Sequence, residues 1–404
     1  MNLSYTLTFD DKIPFSAQKA IENVFENFAF FCKYNQLDFS QNISIGLNGK
    51  SKNYDCLISQ KFINLLENKI WSWQDWFEND ALLIDGGFED YLGTCFYMIN
   101  CIQEYADDVE DKWNRFDYKK SYQSHFGVVD ENLVVEHFKL IAEKLNIKNN
   151  FKAPSTVFLS HDIDILNVKR QSISTEWRTF NISAILRNLA KNKFDFLEDL
   201  ITIEKNLGIK ATYFWLTEQG DIENIPHADY EIKEVQPFIE HLKAHPNFKN
   251  GLHKSTYSKS LEEEASTIGE NIQFNRYHFL KYNVKVDYEK LEQSNIQADC
   301  SLGFSHTIGF RNNYGLPFRP YAPIAEKQYT FWVHPLHIMD SSLIYYTKGT
   351  LSQKEKLIRE FLAKHSKNCQ IGVLWHNNYL FGEHLSMFER VLEIDGEFVH
   401  PEIL

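Results

Sequence analysis

From residue 154 onward, short apolar runs alternate with amphipathic helical stretches, and several of those runs end abruptly in Asp or His. Thr156-Val157-Phe158-Leu159-Ser160 is strand-like, residues 183–207 carry helical periodicity, and Lys210-Ala211-Thr212-Tyr213-Phe214-Trp215-Leu216 reads as a second buried strand. A helix is expected over about 231–244. Ser258 is placed to cap another through about 272, with Glu262 and Glu263 in its first turn, where carboxylates favour the helix dipole. Leu357, Ile358, Phe361 and Leu362 mark a last helical face, and Ile371-Gly372-Val373-Leu374-Trp375 a last apolar strand. Such alternation specifies an α/β fold with a parallel sheet, open or closed into a barrel. In either form the chemistry gathers at the carboxyl ends of the strands.

That rule selects residues. Phe158-Leu159-Ser160-His161-Asp162-Ile163-Asp164 runs from a strand into two carboxylates at i, i+2, which extended backbone points to the same side. Like charges held so close resist joint ionisation unless a cation is shared. The plain alternative is a loop with an Asx turn and a cap. His253, in Asn250-Gly251-Leu252-His253-Lys254-Ser255-Thr256-Tyr257, follows another short strand and precedes a helix. Leu374-Trp375-His376-Asn377-Asn378 again ends an apolar strand in His. One such histidine is as readily structural as ligating. Asp162, Asp164, His253 and His376 at comparable ends of three candidate strands are hard to explain by packing.

The first ~145 residues carry a different pattern, with element ends good to a few residues. Ile21, Val24, Phe25, Phe28 and Phe31 predict an amphipathic helix over 16–32. Residues 89–106 (Leu92, Phe96, Ile99) and 132–146 (Val135, Phe138, Leu140, Ile141, Leu145) repeat that spacing. Trp71-Ser72-Trp73-Gln74-Asp75-Trp76-Phe77 is a dense aromatic knot, read as packed core or interface ahead of a sugar-binding surface. The polar stretch Lys148-Asn149-Asn150-Phe151-Lys152-Ala153-Pro154 punctuates the chain. It divides a smaller α+β domain, 1–148, from a second domain, 154–404.

A length of 404 residues with 43% hydrophobic side chains supports two domains, or one large barrel with an extension. A formal net charge of -13 argues against a nucleic-acid backbone or an anionic membrane as partner. The 6 cysteines, at 32, 56, 95, 101, 300 and 369, contain no CxxC pair, so reduced thiols are expected rather than a zinc ribbon or redox motif. Met1-Asn2-Leu3-Ser4-Tyr5 lacks a basic then apolar leader, and no run approaches a membrane span, so a soluble, cytoplasmic protein is expected.

Together these residues resemble the polysaccharide deacetylase superfamily, also called the NodB-homology or carbohydrate esterase family 4 domain. The resemblance implies a distorted (β/α) barrel that hydrolyses N- or O-acetyl groups of acetylated carbohydrate with a bound divalent metal, zinc first, nickel or cobalt as alternatives. Asp162 matches the catalytic base and Asp164 the metal-binding aspartate; His253 matches the first metal histidine. Arg276-Tyr277-His278-Phe279 resembles the motif whose arginine orients the base, and Asp299-Cys300-Ser301 the one whose aspartate supports the final histidine. Leu374-Trp375-His376 matches the motif whose histidine is the general acid. The whole chain also resembles a bacterial subgroup in which an uncharacterised N-terminal domain precedes such a domain, with Ser160–Asp164, Gly251–Ser255, Arg276–Leu280, Gly309–Arg311 and Trp375–Asn377 matching its motifs.

One departure matters: the superfamily's His-x-x-x-His has Tyr257 at its second position here, leaving a catalytic zinc site one protein ligand short. His278 is the candidate replacement and Tyr257 a poorer one. A non-catalytic carbohydrate-binding protein with a degenerate site is the alternative reading. Leu7-Thr8-Phe9-Asp10-Asp11 also spells a form of the first motif, without a suitable histidine motif before Asp162. Arg311 and Arg319 flank a Gly/Pro-rich loop and are candidates for an anionic substrate, with structural roles ranked slightly ahead. His334, His337 and Asp340 are ranked as core or cap residues ahead of cleft residues.

Overall fold

The computed structural model describes residues 3–401 apart from 38, 50–52, 148–149, 179–180 and 395; residues 148–149 of the expected interdomain stretch therefore lie outside the described residues. Near the N-terminus, β1 (Leu3–Phe9), β2 (Phe39–Leu47) and β3 (Cys56–Ile58) pair in parallel, with α1 (Phe15–Tyr34) crossing between the first two. Parallel strands need such a crossover, so this region is built as α/β rather than as the segregated α+β unit expected. Further along the chain come α2 (Tyr91–Ile99) and α3 (Leu133–Lys144). The helical spacing over 16–32 is the buried face of α1, where Phe28 and Phe31 meet Phe138 of α3 at ring separations of 5.4 and 5.7 Å. The aromatic knot is packing: Trp76 is fully buried and its indole N–H donates to the Ile70 carbonyl at 2.7 Å. All six cysteines are free and buried.

Among the described residues the second sheet has nine strands, all parallel. They are β4 (Thr156–Ile163), β5 (Ala211–Leu216), β6 (Phe248–Lys254), β7 (Phe274–Tyr277), β8 (Ala298–Asp299), β9 (Trp332–Val333), β10 (Ile338–Met339), β11 (Gln370–Leu374) and β12 (Glu397–Phe398). The order is β9-β8-β7-β6-β5-β4-β11-β10, with β12 beside β4. The two edges, β9 and β10, belong to one extended segment, residues 332–339, so the curled sheet comes back on itself through the covalent chain. Gly372 permits that return: a Cβ there would stand 2.1 Å from the Pro335 carbonyl oxygen of the crossing segment.

Two local expectations change. Residues 183–207 form α5 (Ile182–Ala190) and α6 (Asp195–Leu207), preceded by α4 (Lys169–Arg178). The break falls where the Asn192 side chain accepts from the Phe194 N–H at 2.8 Å, and Asp195 from the Asn192 N–H at 3.1 Å, local bonds that compete with the helix. Ser260, not Ser258, caps the next helix, α7 (Leu261–Ile268), in a reciprocal bond pair with Glu263, and the helix stops at Gly269 rather than near 272.

One continuous apolar core runs from α1 and α3 into the second sheet. Across that junction Glu104 and Arg311, both buried, form a two-pronged ion pair at 2.8 and 2.7 Å. Arg311 also donates to the Gly303 carbonyl and lies 4.8 Å from the Tyr282 ring centroid, which assigns it to structure and not to an anionic substrate. Removing one partner of a desolvated pair strands the other. Glu104→Ala should therefore cost about 3–5 kcal/mol in urea unfolding, and a loss below about 1 kcal/mol, typical of an exposed pair, would show that this contact is not holding the two parts together.

Candidate active site at the carboxyl ends of the strands

β4 carries Asp162 at its buried end and Asp164 just beyond it, on the same side, as the i, i+2 spacing requires. Arg276, fully buried on β7, donates from Nη1 to Asp162 Oδ1 at 2.9 Å and from Nε to the Cys300 carbonyl at 2.9 Å, with its guanidinium 4.5 Å from the Phe214 ring centroid. His253 stands directly across from Arg276 in the β6–β7 register, which brings its ring to the same acids: Nε2 lies 3.5 Å from Asp162 Oδ2 and 3.3 Å from Asp164 Oδ1.

His278 completes the cluster, with Nδ1 3.0 Å from His253 Nε2 and 3.8 Å from Asp164 Oδ1. Among the described residues, Asp164, His253 and His278 form a group whose donor atoms suit one metal ion. A tetrahedral ion with bonds of about 2.0–2.1 Å would set its ligands roughly 3.3–3.4 Å apart, and the edges of this triangle, 3.0, 3.3 and 3.8 Å, lie on either side of that spacing. The tautomers agree: His253 Nδ1–H donates to the Arg276 carbonyl at 2.9 Å, and His278 Nε2–H to the Pro226 carbonyl at 2.9 Å. Each neutral ring then turns a lone pair on the shared space, and outer partners of this kind are what fix metal-ligating imidazoles. Asp164 Oδ1 is buried with no hydrogen-bond donor. Two facing lone pairs and an orphaned carboxylate oxygen are the chemistry a divalent cation satisfies.

Charges here are strongly coupled. Burial pushes Asp164 up, but its interactions with the His278, His253 and His376 imidazoles outweigh it and hold the carboxyl below its ordinary range. Burial dominates His278 and lowers it to about 4. His253 is raised, the nearby Asp162 and Asp164 overcoming its burial.

His376 reaches the cluster from β11, with Nε2 3.7 Å from Asp164 Oδ2. The aspartate behind it is not the expected one. Asp299 is buried and accepts from Asn275 Nδ2 at 2.8 Å and from the Ser301 N–H and hydroxyl, shaping the turn whose Cys300 carbonyl holds Arg276; burial raises it to about 6. His376 Nδ1–H donates instead to Asp340 Oδ1 at 2.7 Å, and its backbone N–H binds the same carboxylate. Burial opposes protonation of His376, but Asp340 first, then Asp164 and Asp162, outweigh it and raise it to about 10. The strand-end rule applied to Ile338-Met339-Asp340 would have found this residue.

Other candidates fall away from the site. Tyr257 donates its hydroxyl to the Gln219 carbonyl at 2.7 Å. Asp10 caps a turn in the first sheet, accepting from the Lys12 N–H at 3.0 Å. His337 is a core residue whose Nδ1 accepts from the Gly372 N–H, and His334 pairs with Gln370. Arg319 lies over Trp332, 4.9 Å from its ring centroid.

Asp162, Asp164, His278 and His376 open into a cavity of about 240 Å³ whose mouth is aromatic, with Phe279, Tyr345, Tyr346 and Tyr379. Phe279 and Leu280 adopt left-handed backbone, φ 61° and 50°, a costly choice for these residues. Residues far upstream brace it: Arg115, itself ion-paired to Asp111 at 2.9 Å, lies 4.5 Å from the Phe279 ring centroid, and Trp113 meets that ring edge-on at 5.6 Å. No local pattern in residues 111–115 announces this contribution.

Comparison with known proteins adds little to these side chains. A family of unknown function, DUF7033, matches residues 8–150. No curated protein matches the chain. A solved structure from Mycobacterium smegmatis, described as a polysaccharide deacetylase, aligns at 12% identity and TM-score 0.40 over 63% of this chain and 89% of that one. A polysaccharide deacetylase from Bacillus cereus aligns at 13% identity and TM-score 0.34 over 61% and 92%. Likenesses this loose leave the chemistry to be argued from the residues themselves. Zinc titration followed by metal analysis should give about one ion per chain, as a single tetrahedral site does. His278→Ala should weaken binding by on the order of 100-fold or more, since even outer partners of metal ligands contribute about 10–100-fold. Unchanged affinity in that variant, or a loss as large in Tyr257→Phe, would remove His278 from the ligand set.

Proposed function

We propose that this chain is a metal-dependent hydrolase that removes an acyl group, N-acetyl first, from a carbohydrate or sugar intermediate. The observation that carries the reading is the opposed pair of acid–base groups flanking the Asp164–His253–His278 triangle: Asp162 bound to the Arg276 guanidinium, and His376 bound to Asp340. Asp164, His253 and His278 would hold the cation, zinc by the nitrogen and oxygen character of its donors, nickel or cobalt as alternatives. Such an ion supplies Lewis acidity, polarising the acyl carbonyl and acidifying water.

The chain's own groups do the rest. Arg276 occupies one oxygen of Asp162, leaving Oδ2 on the cavity side to accept a proton from the attacking water. His376, held protonated by Asp340, gives its Nε2 proton to the departing nitrogen as the C–N bond breaks, and the acyl group leaves as a carboxylate. A backbone N–H near Phe279, where the chain turns left-handed, is assigned to the oxyanion. The aromatic mouth suits the apolar faces of a sugar ring. Division of the chain at 148–154 belongs to the same proposal, with the upstream part bracing the mouth through Trp113 and Arg115.

Acetate release from an N-acetylated oligosaccharide tests the reading. Asp162→Asn should keep zinc content and lower kcat by about 10²–10⁴-fold; retained turnover excludes Asp162 as the base, and zinc binding without turnover in the unmodified chain favours a binding protein. The general acid must be protonated, so activity should fall as pH rises through about 10, the value to which Asp340, Asp164 and Asp162 together lift His376. Asp340→Asn removes the largest raising interaction and should move that alkaline limb down toward the usual histidine value of about 6.5. A limb that stays in place would separate His376 from proton donation.

A further inference from the structure

Immediately after the Asp162–Asp164 strand end, the chain leaves the sheet as a helical hairpin, α4 packed on α5. The inner side of α5 is buried through Ala184, Ile185 and Asn188. Its outer side is not covered: Ile182, Leu186 and Leu189, at i, i+4 and i+7, are 68%, 63% and 48% exposed, and Trp177 at the end of α4 is 66% exposed. Four of the twelve large exposed hydrophobic side chains among the described residues thus fall within this one short stretch, and clustering of that kind marks an interaction site.

Charge identifies the partner. Residues 169–190 contain four Lys or Arg and one Glu, a net +3 inside a chain of net -13. Lys191 and Lys193 are turned inward to Asp199 and Glu234 and anchor the hairpin's base. Arg187 is exposed next to Leu186, and the single acid, Glu176, is buried. A basic, outward-facing apolar stripe is the pattern of a helix that lies in the surface of an anionic bilayer. Helices of ten and nine residues are too short to cross one, and no helix among the described residues is long and apolar enough to do so. A two-fold dimer through the same face would set hairpin against hairpin, like charge against like.

We propose that the 169–190 hairpin docks this protein on an anionic membrane surface. The hairpin stands at the mouth end of the sheet: Ile165, which lines the cavity, precedes it by a few residues, and Asn377 Nδ2, just past His376, donates to the Ile165 carbonyl at 2.9 Å. Docking therefore holds the cavity at headgroup level, and, resting on the hydrolase reading proposed above, the substrate class it favours is a saccharide presented at a bilayer.

Co-flotation of the full chain with phosphatidylcholine vesicles, with and without phosphatidylglycerol, tests this without any turnover, so Asp162→Asn should float as the unmodified chain does. Binding is expected to the phosphatidylglycerol vesicles and to weaken with added salt. Leu186→Asp combined with Leu189→Asp, both exposed, should leave circular dichroism unchanged and cost roughly tenfold per leucine; Arg187→Glu should cost roughly fivefold or more. No flotation with the anionic vesicles overturns the proposal. So does equal flotation of the double-leucine variant, or a solution dimer that the same variant dissolves.

Discussion

Two carboxylates two residues apart at one strand end can both remain charged only if positive charge is brought to them from elsewhere in the chain. Everything at the mouth of the second sheet follows from meeting that demand. Arg276 answers Asp162 with a direct 2.9 Å bond, and His278, His253 and His376 converge on Asp164 against the pull of its burial. The register that sets His253 beside Arg276 lets one pair of neighbouring strands serve both acids. Arg276 in turn depends on the Cys300 carbonyl, and that turn on Asp299, so a buried acid remote from the cavity still governs its geometry.

The sheet's closure and the site share a segment. Residues 332–339 pass from one edge of the sheet to the other, crossing so close to Gly372 that no side chain fits there. Its continuation delivers Asp340 behind His376. The upstream third of the chain is tied in by the Glu104–Arg311 pair and reaches the cavity rim through Arg115 and Trp113. The left-handed turn at Phe279 and Leu280 is therefore clamped from outside its own sheet.

Net charge, a whole-chain quantity, hides a local reversal. A chain at -13 concentrates cations in the one hairpin that also exposes a leucine and isoleucine stripe. Lys191 and Lys193, just past it, are used internally, which keeps the hairpin rooted while its outer face stays open.

The sequence by itself determined four of the parallel strands, β4, β5, β6 and β11, and that Asp162, Asp164, His253 and His376 stand at their carboxyl ends. Those features follow from side-chain alternation, which is local. It also determined the helical faces of α1 and α3, because their apolar spacing is long and regular. Only the tertiary structure decided which partners meet. His278 joins the donor triangle because a left-handed turn follows it, and Asp340, not Asp299, reaches His376 because β10 and β11 are neighbours while Asp299 is satisfied by Asn275 and Ser301. The break between α5 and α6 and the cap at Ser260 were likewise settled by side-chain bonds to backbone that periodicity does not register. Distances of a few ångströms between segments over a hundred residues apart depend on register and crossing, and no single stretch of chain encodes them.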